Sequence, residues 1–201
     1  MSRVDQLVSD RLLTLPDCLR SLLAQCDPAG HSARPAVRPL TAKDAPIWVT
    51  GGGMSEGPAH YLVALLSAQG IAATFVPLSE FVSESLPQPG HTLVLFSQGL
   101  APNARFPLRH HASFARTIVV TSVCPDSSAN EQSIPHQLAQ LTARGIELLV
   151  HPPAQESGIL LRVVGPTVQA LAAAIVAGIP IRALQALPDL RSEERRVGKE
   201  C

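Results

Sequence analysis

Gly51-Gly52-Gly53-Met54-Ser55 is the part of this chain best suited to hold a ligand. It lies between the apolar run Ile47-Trp48-Val49-Thr50 and an amphipathic stretch reaching Gln69, a spacing that predicts a buried strand, a tight turn and a helix from Ser55. Glycines allow torsions and close approaches that a Cβ would block, and a helix start offers unpaired N–H groups and a positive dipole end. The chemistry is that of an anion cradle, with Ser55 as N-cap and hydroxyl donor. A second stretch repeats the layout. The apolar Thr92-Leu93-Val94-Leu95-Phe96 runs through Ser97-Gln98-Gly99-Leu100-Ala101-Pro102 to a helix start near Asn103.

Other chemistries fit less well. A dinucleotide fingerprint needs a third glycine where Glu56 stands and an acidic residue after the second strand, where Val76 is followed by Pro77. Ser55 and Glu56 are adjacent, and neighbouring helix residues do not face each other, so no activated nucleophile is formed. Cys18, Cys26 and Cys124 have neither disulfide nor zinc spacing, and the histidines are scattered apart from His110-His111, which reads as an exposed helix face. No metal and no cofactor is expected.

The elements that must position these loops follow from the pattern. Strands are predicted at Ile47 to Thr50, Ala72 to Val76, Thr92 to Phe96, Thr117 to Thr121 and Glu147 to Val150, with an extra segment at Ile159 to Val163. Helices are predicted at Ser55 to Gln69, Asn103 to Phe114, Glu131 to Ala143 and Thr167 to Ala177. Short, nearly continuous apolar strands alternating with helices indicate an α/β fold, a doubly wound parallel five-stranded sheet with helices on both faces. Ligands in such sheets bind beyond the carboxyl ends of the strands at the switch point, which joins the first and third strand loops in one crevice. Leucines at 7, 12, 15, 19, 22 and 23 predict an N-terminal helical arm over residues 1–26, broken or restarted at Pro16. Residues 27–46, with four prolines and a glycine, read as a linker.

Composition narrows the partners. Lys plus Arg and Asp plus Glu both number 16, which leaves no field for nucleic acid or anionic lipid. Charged residues interrupt any signal-peptide core, and the apolar run Val168 to Ile181 is shorter than the roughly 20 residues a span requires, so a soluble, cytoplasmic protein is expected.

With both loops in view, the chain resembles the SIS (sugar isomerase) domain family. Its phosphosugar site joins a Gly-x-Ser loop after strand 1 to a Ser-x-Ser-Gly-x-Thr loop after strand 3. Gly53-Met54-Ser55 matches the first and Ser97-Gln98 opens the second. Ser79-Glu80-Phe81 is similar to the family's Ser-Glu-Phe segment, Val120-Thr121-Ser122 resembles its Thr-Asn strand end, and Leu15 to Leu23 resembles the arm that opens tandem-SIS proteins. The resemblance implies a phosphorylated sugar or sugar derivative bound by Gly52, Gly53, Met54, Ser55, Ser97, Gln98, Gly99, Asn103, Thr121 and Ser122. It also implies Glu156 as the catalytic base of an aldose–ketose isomerase or aminosugar-phosphate deaminase. As a partner it implies a homo-oligomer or a second SIS domain. Residues 47–190 are read as the SIS-like domain.

Two departures bear on that reading. Gly99 and Pro102 stand where the family has a serine and a threonine, removing two hydroxyl donors. At about 1.5–3 kcal/mol for each charge-assisted bond, phosphate binding weakens by roughly 3–6 kcal/mol unless Arg105 or Arg109 compensates. Three roles stay open: half of a tandem isomerase or deaminase, a catalytically silent phosphosugar sensor, and a fold retained for assembly. Residues 191–201 resemble the in-frame translation of a sequencing adapter, so the tail is expected to be non-native and the chain a fragment. Removing its four basic and three acidic residues leaves 12 against 13, still near neutral.

Overall fold

Five apolar runs become five parallel strands: β1 Ile47–Gly51, β2 Ala73–Phe75, β3 Thr92–Phe96, β4 Arg116–Thr121 and β5 Glu147–Val150. The computed structural model describes residues 3–26, 37–82, 90–153 and 163–185. Among these, the sheet order is β2-β1-β3-β4-β5. The chain moves outward from β1 to β2 and then crosses back to β3, so the order reverses between β1 and β3 and the loops leaving them diverge to opposite faces. A crevice opens between them at the carboxyl edge.

Side-chain alternation divides the core between the two faces. Ile47 and Val49 of β1, Val94 and Phe96 of β3, and Ile118 and Val120 of β4 pack with α1 (Arg3–Cys26), α2 (Glu56–Ala68) and α5 (Val164–Val176). The intervening Leu95, Val119 and Leu148 meet α3 (Phe106–Arg109) and α4 (Ile134–Ala143) through Leu108 and Leu138. Phe81, Leu93 and Phe114 form a smaller cluster beside Trp48 on that second face. Helices thus cover both faces. A short α6, Ile181–Leu184, closes the described residues.

Several boundaries differ from the sequence expectation, and prolines account for most of them. Helix α1 runs unbroken through Pro16, correcting the predicted break. A proline inside a helix costs about 3 kcal/mol, whereas burying a leucine contributes about 1.5–3 kcal/mol, and Leu15, Leu19, Leu22 and Leu23 are all buried in the core shared with α5. The single helix predicted over Asn103 to Phe114 is three short pieces, a 3-10 turn Pro102–Arg105, then α3, then a 3-10 turn His111–Ser113. Pro102 and Pro107 begin the first two pieces, where a missing N–H is tolerated, and neither could lie in a longer helix without a lost bond. Helix α4 starts at Ile134 rather than Glu131, with Ser133 accepting from the His136 N–H at 3.4 Å. Residues 159–162 of the extra segment lie outside the described residues; Val163 is the N-cap of α5.

The amino edge of the sheet is closed by charge. Arg116 donates from Nε and Nη2 to the two Glu147 carboxylate oxygens, both at 2.7 Å, and from Nη1 to Asp44 Oδ1 at 3.2 Å. Arg38 and the Thr41 backbone and hydroxyl complete the shell of Asp44. Burial raises the Asp44 pKa, but bonds from Arg38 and Thr41 and the charge of Arg116 outweigh it and hold the carboxyl well below the usual range. No helix among the described residues is long and apolar enough to cross a membrane.

Candidate functional site

The turn after β1 is built on two glycines. A Cβ on Gly51 would lie 2.7 Å from the Ser55 carbonyl oxygen and 3.2 Å from that of Phe96, both backbone atoms that cannot swing away. Gly53 has φ 58°, the left-handed region that glycine enters without strain. Together they fold Gly53–Ser55 into a 3-10 turn that feeds α2. Ser55 lies one residue before α2 in helical torsions and makes no side-chain cap bond, so its predicted N-cap role is corrected: the oxygen that would have capped the helix is not used for it. The Ser55 N–H donates to the Gly52 carbonyl at 3.2 Å, and no such bond occupies the N–H groups of Gly53 and Met54. Ser55 is buried, while Gly53 and Met54 are exposed at the helix entrance.

The loop after β3 meets this turn. Residue Gly51 is registered against Phe96 across the parallel pair, and a Cβ on Gly52 would fall 2.6 Å from Leu78 Cδ1 and 3.8 Å from Asn103 Nδ2. Asn103 Oδ1 accepts the Ala104 N–H at 2.9 Å, so its amide NH2 is the end turned toward the glycine turn. Ser97 is buried at the strand end, where its N–H donates to the Val120 carbonyl at 3.0 Å. Gly99 is exposed, and Leu100 takes φ 48°, a strained torsion held by burying its side chain in the second-face core.

Three donors converge on the Gln98 carbonyl: the Ser122 N–H at 3.0 Å, the Ser122 hydroxyl at 2.7 Å and the Thr121 hydroxyl at 3.1 Å. Thr121 also accepts from the Val123 N–H at 3.2 Å and is fully buried. Their hydroxyl protons therefore hold the β3 loop on β4. The Gln98 side chain crosses to α5, where a Cβ on Gly165 would come within 2.8 Å of its carboxamide. Helix α5 runs against the strands, its first turn beside Gln98 and its last carbonyls at the amino edge, where Leu40 donates to Val176 at 2.8 Å.

The structure thus gathers Gly52, Gly53, Ser55, Ser97, Gln98 and Asn103 at the carboxyl edge, with the starts of α2 and α5 converging there. Neither helix is capped by the side chain of its N-cap residue, and both bring the positive end of a dipole to the crevice. Sequence reading placed the α5 start three residues late, at Thr167, and missed its first turn; Gly165-Pro166, a small residue before an N-terminal proline, was the available signal. Glu156 lies outside the described residues. Arg105 and Arg109 line a depression between α3 and α4, with the Arg109 guanidinium 5.0 Å from the centroid of Phe106.

His151 is a further residue that sequence reading missed. It follows β5 directly, is 1% exposed, and donates its backbone N–H to the Thr121 carbonyl at 2.9 Å. Its Nδ1 faces the Pro152 carbonyl at 3.0 Å, an acceptor, so Nδ1 carries the proton. Burial lowers its pKa more than that contact raises it, which favours the neutral ring and leaves Nε2 as a buried acceptor with no partner. No group of three or more His, Cys, Asp or Glu residues able to hold a metal occurs among the described residues.

No protein-family model matches the chain, and no curated protein sequence does. Solved structures do. A protein of Escherichia coli CFT073, c3406, solved with a phosphosugar ligand bound, superposes with TM-score 0.58 at 17% identity over 94% of both chains. The chain has an SIS-like fold. Tagatose-6-phosphate ketose/aldose isomerase from Escherichia coli gives TM-score 0.54 and 18% identity over 90% of this chain. The Vibrio vulnificus NanR protein complexed with ManNAc-6P gives 0.56 and 14% over 98%. This chain spans 50% of the tagatose-6-phosphate isomerase and 69% of NanR. Within the SIS-like fold the β1–β3 crevice is the topological switch point.

Proposed function

We propose that this chain binds a phosphorylated sugar or sugar derivative in the β1–β3 crevice. The observation that carries the reading is the turn from Gly51 to Ser55, which backs onto the end of β3 and aims the start of α2 into the crevice beside Asn103. The N–H groups of Gly53 and Met54, the hydroxyls of Ser55 and Ser97, and the Asn103 amide take the phosphoryl oxygens. The sugar extends toward Gln98 and the start of α5. Thr121 and Ser122 act through the loop they hold. The SIS-like fold and the phosphosugars bound in two of the similar structures, ManNAc-6P in NanR among them, support the ligand class.

In a larger isomerase or deaminase, Glu156 would move the proton between adjacent carbons. Gly99 and Pro102, in place of hydroxyl residues, favour a second reading, phosphosugar sensing without turnover.

Calorimetry with aldose and ketose phosphates against the same unphosphorylated sugars tests the reading. The phosphorylated forms should bind at least about a hundredfold more tightly, and Ser55→Ala should weaken them by about tenfold. Equal affinity for the two forms would overturn it. Turnover abolished by Glu156→Gln with binding retained would decide for the enzyme over the sensor.

A further inference from the structure

Face two of the sheet carries a second cationic feature that the crevice does not use. Arg105, Arg109 and Arg144 line one depression of about 300 Å³ between α3 and α4, and no carboxylate lines it with them. None of the three takes part in the ion pairs of the described residues, which commit Arg20, Arg38 and Arg116 to Asp17, Asp44 and Glu147. Arg105 Nε is buried without a hydrogen-bond partner. Three guanidiniums around one concavity with no carboxylate among them repel each other, and a buried charged donor without an acceptor costs free energy, so the arrangement calls for an anion.

The walls say what kind of anion. Gln137 and Gln140 add carboxamides, and Leu108 and Leu141 supply an apolar floor. Arg109 is steadied by its contact with the Phe106 ring, and a planar guanidinium fork matches phosphoryl oxygens in pairs. The volume suits a small molecule and is too small for a docked helix.

We propose that the α3–α4 groove is a binding site, separate from the crevice, for a small molecule bearing two linked phosphoryl groups, whose charge matches the three guanidiniums. The organic part of the ligand lies on Leu108 and Leu141. Arg105 shares the 3-10 turn Pro102–Arg105 with Asn103, so groove and crevice have one wall in common.

The test is titration of the full chain with pyrophosphate at low salt, with citrate in parallel as a carboxylate of similar charge. Pyrophosphate should bind more tightly than citrate, and its affinity should fall steeply with added salt. Arg144→Gln, a change at an exposed position, should weaken binding at least tenfold while leaving thermal unfolding unchanged, and Arg105→Gln should do the same to binding. Ser55→Ala should leave pyrophosphate binding intact, which separates this site from the crevice. The proposal is overturned by an absence of pyrophosphate binding, by unchanged affinity in Arg144→Gln, by loss in Ser55→Ala alone, or by citrate binding as tightly as pyrophosphate.

Discussion

The two ends of the sheet handle polar groups in opposite ways. At the amino edge, Asp44, Arg116 and Glu147 are closed into one network with Arg38 and Thr41, and each carboxylate has a named partner. At the carboxyl edge, two helix starts lack side-chain caps, and the buried His151 Nε2 has no partner. The same strands run between both ends, so the contrast is not one of fold. It separates a part of the molecule whose interactions are complete from one that keeps donors and acceptors open for something else. The division is not perfect, since the Thr117 hydroxyl near the amino edge is also buried without a partner.

The largest expected effect breaks the closed end. Arg116→Met strands Asp44, which is 6% exposed, and removing one partner of a buried pair costs about 3–5 kcal/mol. Chemical denaturation should report that loss, while sugar-phosphate affinity of the folded fraction stays within about twofold, because the network lies at the far end of the strands. A matching loss of affinity would mean that the two ends are coupled.

Gly51→Ala should affect both properties. Its Cβ meets two backbone oxygens, so the turn must shift, at about 1–3 kcal/mol of stability and with loss of the N–H geometry at Gly53 and Met54. Denaturation and calorimetry on the same sample would separate the two consequences. Unchanged binding would remove this turn from the site.

A smaller effect, confined to binding, is expected from restoring hydroxyls. A Cβ on Gly99 meets nothing within 4 Å, so serine fits there, and Pro102 opens a 3-10 turn that threonine can also begin. Gly99→Ser with Pro102→Thr should tighten sugar-phosphate binding by about tenfold and leave the unphosphorylated sugar unaffected. An equal gain for both would show that this loop does not hold phosphate.

The smallest effect is in pH. The folded state depresses the His151 pKa, so the unfolded chain binds the proton more readily; stability is full above about pH 6.5 and declines as pH falls toward the depressed folded value. Asp44 is also depressed, so its contribution is full above about pH 3.9 and is lost at lower pH. Thermal unfolding against pH should therefore decline in two stages, and His151→Gln should remove the first. A first stage that persists in that variant would assign it to another group.

How far the sequence could be read follows the range of the interactions. The strands were legible because residues buried on both faces of a parallel sheet read as continuous apolar runs, as in Leu93 to Phe96. The β1 and β3 loops were legible for the same reason, since they begin where those runs end. Helix limits were less so: Pro16 is tolerated because leucines bury around it, whereas Pro102 and Pro107 begin short pieces. Contacts distant in sequence left no local mark. Asp44 meets Arg116 across 72 positions, and Gln98 reaches Gly165, which is why the closed edge and the α5 side of the crevice came only from the structure. The role of Thr121 and Ser122 in holding the Gln98 carbonyl was equally invisible.

The most direct test of an open carboxyl edge is amide chemical-shift mapping while the chain is titrated with a sugar phosphate. Saturable shifts should appear at Gly53, Met54, Ser55, Ser97 and Gly99 and extend to Gly165, with little change at Thr41, Asp44 or Glu147. Binding that leaves Gly53 to Ser55 and Ser97 to Gly99 unperturbed, with shifts confined to the amino edge or to the α3–α4 groove, would contradict the account.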